Sequence, residues 1–251
     1  MPYTAKMKLG KHPAKIDSRT LRLGKYLAPN LPAPPVSVDW FKGKTSFGMM
    51  LNDTLGDCTI AGVAHAIQVW SLNTGIERTI TDARVLFLYE KWDGYNPADP
   101  STDQGGEELR VLNLWKKYGA GGVALKSYVD PNVLNFTEIK RAIQLFGGVY
   151  IGVQLPLSAQ NQPIWTVVPD NGTGSTVPGS WGGHCVFVAA YDEEGLTCIT
   201  WGATLKMTWD FWKTYVDEAH CLLSADWLTS KGSPSGLNLA QLEADLRIVS
   251  S

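Results

Sequence analysis

The stretch Asn52-Asp53-Thr54-Leu55-Gly56-Asp57-Cys58-Thr59-Ile60-Ala61-Gly62-Val63-Ala64 decides how this chain is read. Loop-forming residues up to Asp57 give way at Cys58 to a helical pattern. Ile60, Val63, Ala64, Ile67 and Trp70 recur at helical spacing, and Gly75 is a natural stop. Asp57 is the expected N-cap, with Cys58 in the first turn. A thiol there feels the positive end of the helix macrodipole, which favours thiolate. The adjacent Asp57 carboxylate works against it.

A partner for that thiol lies far downstream, where Gly182-Gly183-His184-Cys185 opens a run of strand-forming residues. An imidazole within reach of a thiolate stabilises the ion pair and later protonates a leaving group. The Asn52 side chain and the Cys58 backbone N–H are candidate oxyanion donors. Taken singly, each residue has a bland reading: Cys58 as a small buried hydrophobe, His184 as a structural histidine, Asn52 as a turn residue. His65 stands two helical turns from Cys58 and reads as structural. His12 and His220 have no partner that the sequence names. Cys185 and Cys198 fall in strand-like runs and are expected to pack.

The first half of the chain is mainly helical. A second helix is expected after Thr81, through Val85, Leu88 and Trp92, then a loop from Asp93 to Gly106. A third helix carries Leu109, Leu112, Trp115 and Tyr118 and closes at Gly119. The second half changes character. It reads as a short helix over 137–146, a strand over 149–153, and a long Gly- and Pro-rich loop over 163–180. A hairpin over 184–201 turns at 192–195. A helix over 209–216, a strand over 221–223 and a final amphipathic helix over 238–249 follow. Helices first and strands later indicate an α+β fold with two lobes. The expected boundaries are a Pro-rich leader over 1–37, a body over 38–230 with lobes meeting near 136, and a tail over 231–251. Within the leader, 26–36 reads as an extended linker, and the body is expected to begin near Val38-Asp39-Trp40.

The 251 residues carry a net charge of −2, unevenly placed. Residues 1–30 hold seven Lys/Arg and one Asp, hence +6, and the remaining 221 hold 15 bases and 23 acids, hence −8. So acidic a body is a poor binder of nucleic acid. The basic leader reads as a solvated tail, as a cover over an acidic cleft, or as a grip on a partner. The four cysteines, at 58, 185, 198 and 221, form no CxxC pair. No metal and no cofactor is therefore expected, and no phosphate-cradling glycine loop appears. There is no secretory h-region and no membrane-spanning apolar run, so a reducing, cytoplasmic setting is the expectation.

With these residues in view, the chain resembles papain-like cysteine peptidases. Asn52-x5-Cys58 is similar to their nucleophile segment, in which an amide residue lies six positions before the cysteine. Val38-Asp39-Trp40 resembles the entry of their mature domain. Asp103-Gln104-Gly105-Gly106 resembles the Gly-Gly loop that holds an extended substrate, and Gly183-His184-Cys185-Val186 with Tyr191 resembles the histidine strand. Thr200-Trp201-Gly202 resembles the tryptophan segment. The five motifs are short but collinear over residues 38–202. The chain also resembles a set of bacterial and phage-encoded papain-fold proteins with no assigned activity.

The resemblance implies a helical lobe bearing Cys58, a β-rich lobe bearing His184, and a cleft between them. It implies hydrolysis of peptide bonds in a peptide or protein substrate through an acyl-enzyme. Gly105 and Gly106 would pair with the substrate backbone, and Trp181 and Trp201 would line the cleft. The family's orienting asparagine lies two residues before the tryptophan, where this chain has Ile199. Counting from His184 lands on Thr200, whose hydroxyl could steady the ring. The family's cysteine pairs are not present, and the 37-residue leader stands where a long inhibitory propeptide is expected. Residues 1–37 could then cover the cleft as a short pro-segment. The rival expectation is a catalytically silent papain scaffold used for binding or assembly, in a larger bacterial or phage structure.

Overall fold

The computed structural model describes residues 7–75, 77–225, 227 and 238–249. Helix α1, Cys58–Thr74, is apolar around almost its whole circumference. Such a helix cannot lie on a surface and is driven to the centre of the molecule. α2 (Asp82–Trp92), capped by the Thr81 side chain, and α3 (Glu108–Tyr118) pack around it. Gly75 and Gly119 end α1 and α3, as expected.

The rest is built on one antiparallel sheet. Its strands are β1 (Val38–Asp39), β2 (Leu125–Val129), β3 (Val149–Leu155), β4 (Gly182–Tyr191), β5 (Gly195–Thr200), β6 (Ala203–Thr208) and β7 (Val216–Ser224). The order is β2-β7-β3-β4-β5-β6, with β1 paired to β4. α4 (Phe136–Phe146) and α5 (Trp209–Tyr215) cover one face, and α6 (Leu239–Val249) packs near the leader. Tyr150, Cys185, Phe187 and Ala189 belong to the core shared with α1–α3. Ile151, Val153, Val186 and Val188 belong to the core shared with α4 and α5. Central strands buried on both faces read as continuous apolar runs, which is why 149–153 and 184–191 were legible.

Besides the two-residue β1, the strands that sequence pattern missed are β2 and β6. Each is a short alternating segment at an outer position of the sheet, and neither reads as a strand without its partner. The short strand expected at 221–223 extends back to Val216. α5 ends at Tyr215, one residue sooner than expected.

The leader is not a solvated tail, and the folded body does not begin at Val38. Leu23 and Tyr26, on one 3-10 turn, are buried in the α4–α5 core. The Tyr26 hydroxyl donates to Asp245 at 2.9 Å, and the Asn238 N–H donates to the Tyr26 carbonyl at 2.8 Å. Two apolar side chains three residues apart were enough to fold this segment in, although the charge around them disguised it. Of the expected tail, 231–237 and 250–251 lie outside the described residues, and the helix expected over 238–249 is α6. Among the described residues, no helix is long and apolar enough to cross a membrane.

Candidate active site

α1 and β4 meet at the site because Gly62 lets them. A Cβ there would lie 2.8 Å from the Tyr150 ring and 3.2 Å from Cys185 Sγ. The close approach sets Cys185 beside α1, and its backbone N–H works to lower the pKa of the Cys58 thiol. Cys58 stands at the first position of α1, as the sequence predicts. Asp57 occupies the cap position, but its side chain caps nothing. Its Oδ1 instead accepts from Asn52 Nδ2 at 3.3 Å, and burial drives its pKa well up.

His184 is the third residue of β4, directly before Cys185. Its Nε2 lies 2.8 Å from Thr200 Oγ1. Its ring stacks on Trp201, with centroids 4.4 Å apart and planes 10° from parallel. Trp181 stacks on Trp201 in turn, at 5.5 Å. Trp201 and Gly202 form the two-residue turn between β5 and β6, with φ of 43° and 78°. Left-handed backbone at a tryptophan costs about 1–2 kcal/mol, and here it sets the indole against the imidazole. His184 Nδ1 has no hydrogen-bond partner among the described residues. With the proton on Nε2 facing Thr200, Nδ1 is the ring's basic atom.

Asn52 is buried and donates to the Leu55 carbonyl at 3.2 Å as well as to Asp57. His65 bonds the Gly48 carbonyl at 3.1 Å, in keeping with its structural reading. Cys185 and Cys198 are buried, as expected.

The cleft is filled by the chain's own leader. The Lys8 N–H donates to the Asn52 carbonyl at 3.2 Å, and Trp201 Nε1 donates to the Lys8 carbonyl at 3.1 Å. The Gly10 backbone N–H faces the Cys58 thiol. Gly106 N–H donates to the Gly10 carbonyl at 2.8 Å, and His12 N–H donates to the Gly106 carbonyl at 2.9 Å. Across the cleft, the Lys11 N–H donates to the Gly183 carbonyl at 3.1 Å. Residues 8–12 are thus held between the Gly105-Gly106 loop and the start of β4, much as an added strand is held by a sheet edge. Gly105, at φ +83°, packs directly against Gly10.

This closure sets the protonation states, and it corrects the expected thiolate. Burial, reinforced by the Asp57 charge, pushes the Cys58 thiol up to about 12. Burial pushes His184 down to about 3 and His65 to about 4. The helix dipole is outweighed by loss of water, so the closed site holds a neutral thiol and a neutral imidazole. A pH dependence follows. His65 and His184 titrate near 6.5 when exposed, so an unfolded chain takes up protons there that the folded chain refuses until pH 4 to 3. Stability should therefore fall as pH drops through that window. His220 acts in the opposite sense. Its stabilising charge is fully present below 6.5 and is lost as pH rises toward about 10. Thermal midpoints measured from pH 3 to 10 should peak near neutrality; a flat profile below 6.5 would contradict the buried neutral histidines.

A second cluster lies beside the cleft, and sequence reasoning missed it. Lys11 is buried, with Nζ 2.8 Å from Glu218 Oε1 and 3.0 Å from Asp217 Oδ2. Glu108, at the start of α3, and His220 complete the group. Burial disfavours charge on His220, but Asp130 at 2.6 Å and Glu218 overcome it and raise its pKa to about 10. Glu108, Glu218 and His220 offer ligand atoms within 4.8 Å of one another, a spacing a metal ion could use. Here the Lys11 ammonium supplies the positive charge. The only sequence signal was a pair of acids and a histidine, Asp217-Glu218-Ala219-His220, inside a strand otherwise apolar from Ala219 onward.

The fold can now be compared with known ones. The chain is similar to xylellain, a cysteine protease from Xylella fastidiosa, with a TM-score of 0.65 and 14% identity over 87% of this chain and 96% of that one. The fold is papain-like. Digestive procathepsin L 3 of Tenebrio molitor larval midgut aligns with a TM-score of 0.56 and 13% identity, covering 83% of this chain and 75% of its own. The Carica candamarcensis cysteine protease in complex with E-64 aligns at 0.51 and 15%, covering 75% and 98%. No protein-family model and no curated protein matches the sequence. In this papain-like frame Cys58 and His184 sit on the central helix and on the sheet strand packed against it. Thr200 is the side chain that bonds the histidine ring.

Proposed function

We propose that this chain is a papain-like cysteine peptidase, or a related acyl-transfer enzyme, acting on peptide bonds. One observation carries the reading. Thr200 and Trp201 fix the His184 ring with Nδ1 left unbonded, on the strand that packs against the helix bearing Cys58. Once the leader leaves, Nδ1 takes the thiol proton and the thiolate attacks a substrate carbonyl. Asn52 Nδ2 and the Cys58 N–H receive the oxyanion, the amide turning from its long contacts with Leu55 and Asp57. The imidazolium then protonates the departing amine, and water releases the acyl group. Gly105 and Gly106 hold the substrate backbone, and Trp181 and Trp201 shield the ring.

The leader is the resting-state block. It survives because it shows the thiol an amide N–H, while the Gly10 carbonyl is turned away onto Gly106. E-64, the compound held by the Carica protease, is the test. It should modify Cys58 and spare Cys185, Cys198 and Cys221, as read by peptide mass spectrometry. A Cys58→Ala chain should lose both labelling and turnover.

The closed, neutral thiol and imidazole also favour a second reading, a silent scaffold whose cleft serves only to dock the leader. Absence of Cys58 labelling even with the leader displaced would establish it and end the peptidase reading.

A further inference from the structure

We propose that the pocket holding the Lys11 side chain is a recognition site for a primary ammonium on an unbranched stem. Its occupant in action is a lysine side chain of a peptide or protein bound along the cleft. The inference rests on the peptidase reading for its substrate, but the pocket stands apart from the chemistry.

The occupant is matched atom for atom. An ammonium has three donors. Lys11 Nζ places them on Glu218 Oε1 at 2.8 Å, Asp217 Oδ2 at 3.0 Å and the His12 carbonyl at 3.1 Å. The stem passes over Gly152 of β3, where a Cβ would run into Lys11 Cε. Only glycine admits the stem at that place. Glu218, Asp217 and Gly152 belong to the body and persist when the leader leaves; the His12 carbonyl leaves with it, and the backbone of the bound peptide takes its place. Gln154 Nε2 holds Asp217 Oδ2 at 2.6 Å. His220, anchored by Asp130, lies 3.5 Å from Glu218 and 3.6 Å from Glu108. Without Lys11, three carboxyl groups, those of Asp217, Glu218 and Glu108, are left beside one imidazole, that of His220. The vacant pocket keeps an excess negative charge, and buried unpaired carboxylate is costly, so it selects a cation. Its mouth opens on the backbone track of Gly106 and Gly183, one residue along the leader from the amide that faces Cys58. A point charge on a narrow stem fits this lining; a planar, forked guanidinium does not match its two separate carboxylates so well.

The test uses the full chain with Lys11→Ala, which deletes the occupant down to its Cβ. n-Propylammonium replaces the missing atoms, and n-propanol is its neutral analogue. The ammonium should raise the thermal midpoint saturably at constant ionic strength. Propanol should not, and Glu218→Gln in the same chain should abolish the response. An equal response to both compounds, or to neither, overturns the proposal. Should Lys11→Ala fail to fold, a Gly10→Val chain serves instead, with paired peptides carrying lysine or norleucine. Lysine should be preferred at least about tenfold in kcat/KM, the ratio a charge-assisted hydrogen bond supports. Cleavage of both peptides at equal rates removes the pocket's role. Propylammonium binding with no hydrolysis of any peptide would retire the peptidase reading and leave the pocket standing.

Discussion

Substituting Gly10 by valine should speed E-64 labelling of Cys58 by about 100-fold, the factor that ~3 kcal/mol of lost docking produces. The cause is steric and local. A Cβ on Gly10 would run into the Gly56 carbonyl, and Gly105 closes on the other side of the same residue. Backbone meets backbone at both places, so no side-chain rotation can relieve the clash. The leader must lift at the residue that faces the thiol. Water then reaches Cys58 and His184, removing the burial that holds one near 12 and the other near 3. The thiol falls, the imidazole rises, and both move toward the ion pair. Leu23, Tyr26 and the Asp245 contacts lie far from residue 10 in the chain and should keep the body folded. Circular dichroism and a labelling time course check both halves. Unchanged labelling in a folded variant would mean that the leader does not gate the site.

Replacing Thr200 by valine should lower kcat by about 100-fold in the same opened chain, within the range attributed to a positioned acid–base group. Valine keeps the shape and removes the hydrogen-bond partner that His184 Nε2 has among the described residues. Stacking on Trp201 fixes the plane of the ring but not its rotation within that plane. The buried N–H is left unsatisfied, at about 1–3 kcal/mol, and Nδ1 loses its fixed direction. Thr200→Ser should restore most of the activity, because it returns the hydroxyl. A purely structural role would show equal loss of thermal midpoint with no change in kcat. Comparing kcat, KM and midpoint across the two variants separates these outcomes.

Much of the site was legible because its signals are local. Loop residues before Cys58 and helical spacing after it place the thiol at a helix start. Gly-Gly before His184 and apolar residues after it place the imidazole at a strand start. Thr200 was reached only through the resemblance, by counting forward from His184 against the papain-like pattern, and its hydroxyl bonds the ring. What was not legible had no local signal. The acids that gather around Lys11 and His220 carried no such signal. Asp57 looked like a cap, but its carboxyl turned to Asn52. The thiolate expected from the helix dipole was reversed by burial, a property of the assembled cleft.

The sequence by itself determined the helix that carries Cys58, the strand that carries His184 and the α+β character of the chain. Periodicity, caps and glycine stops act over a few residues and need no distant partner. Tertiary structure alone decided that the basic leader threads the cleft, and that Lys11 meets acids from β7 some 206 positions away. It also decided that the Cys58 thiol and the His184 imidazole rest neutral. Ion pairing and loss of water depend on which distant segments meet, and no local pattern in the chain encodes that meeting.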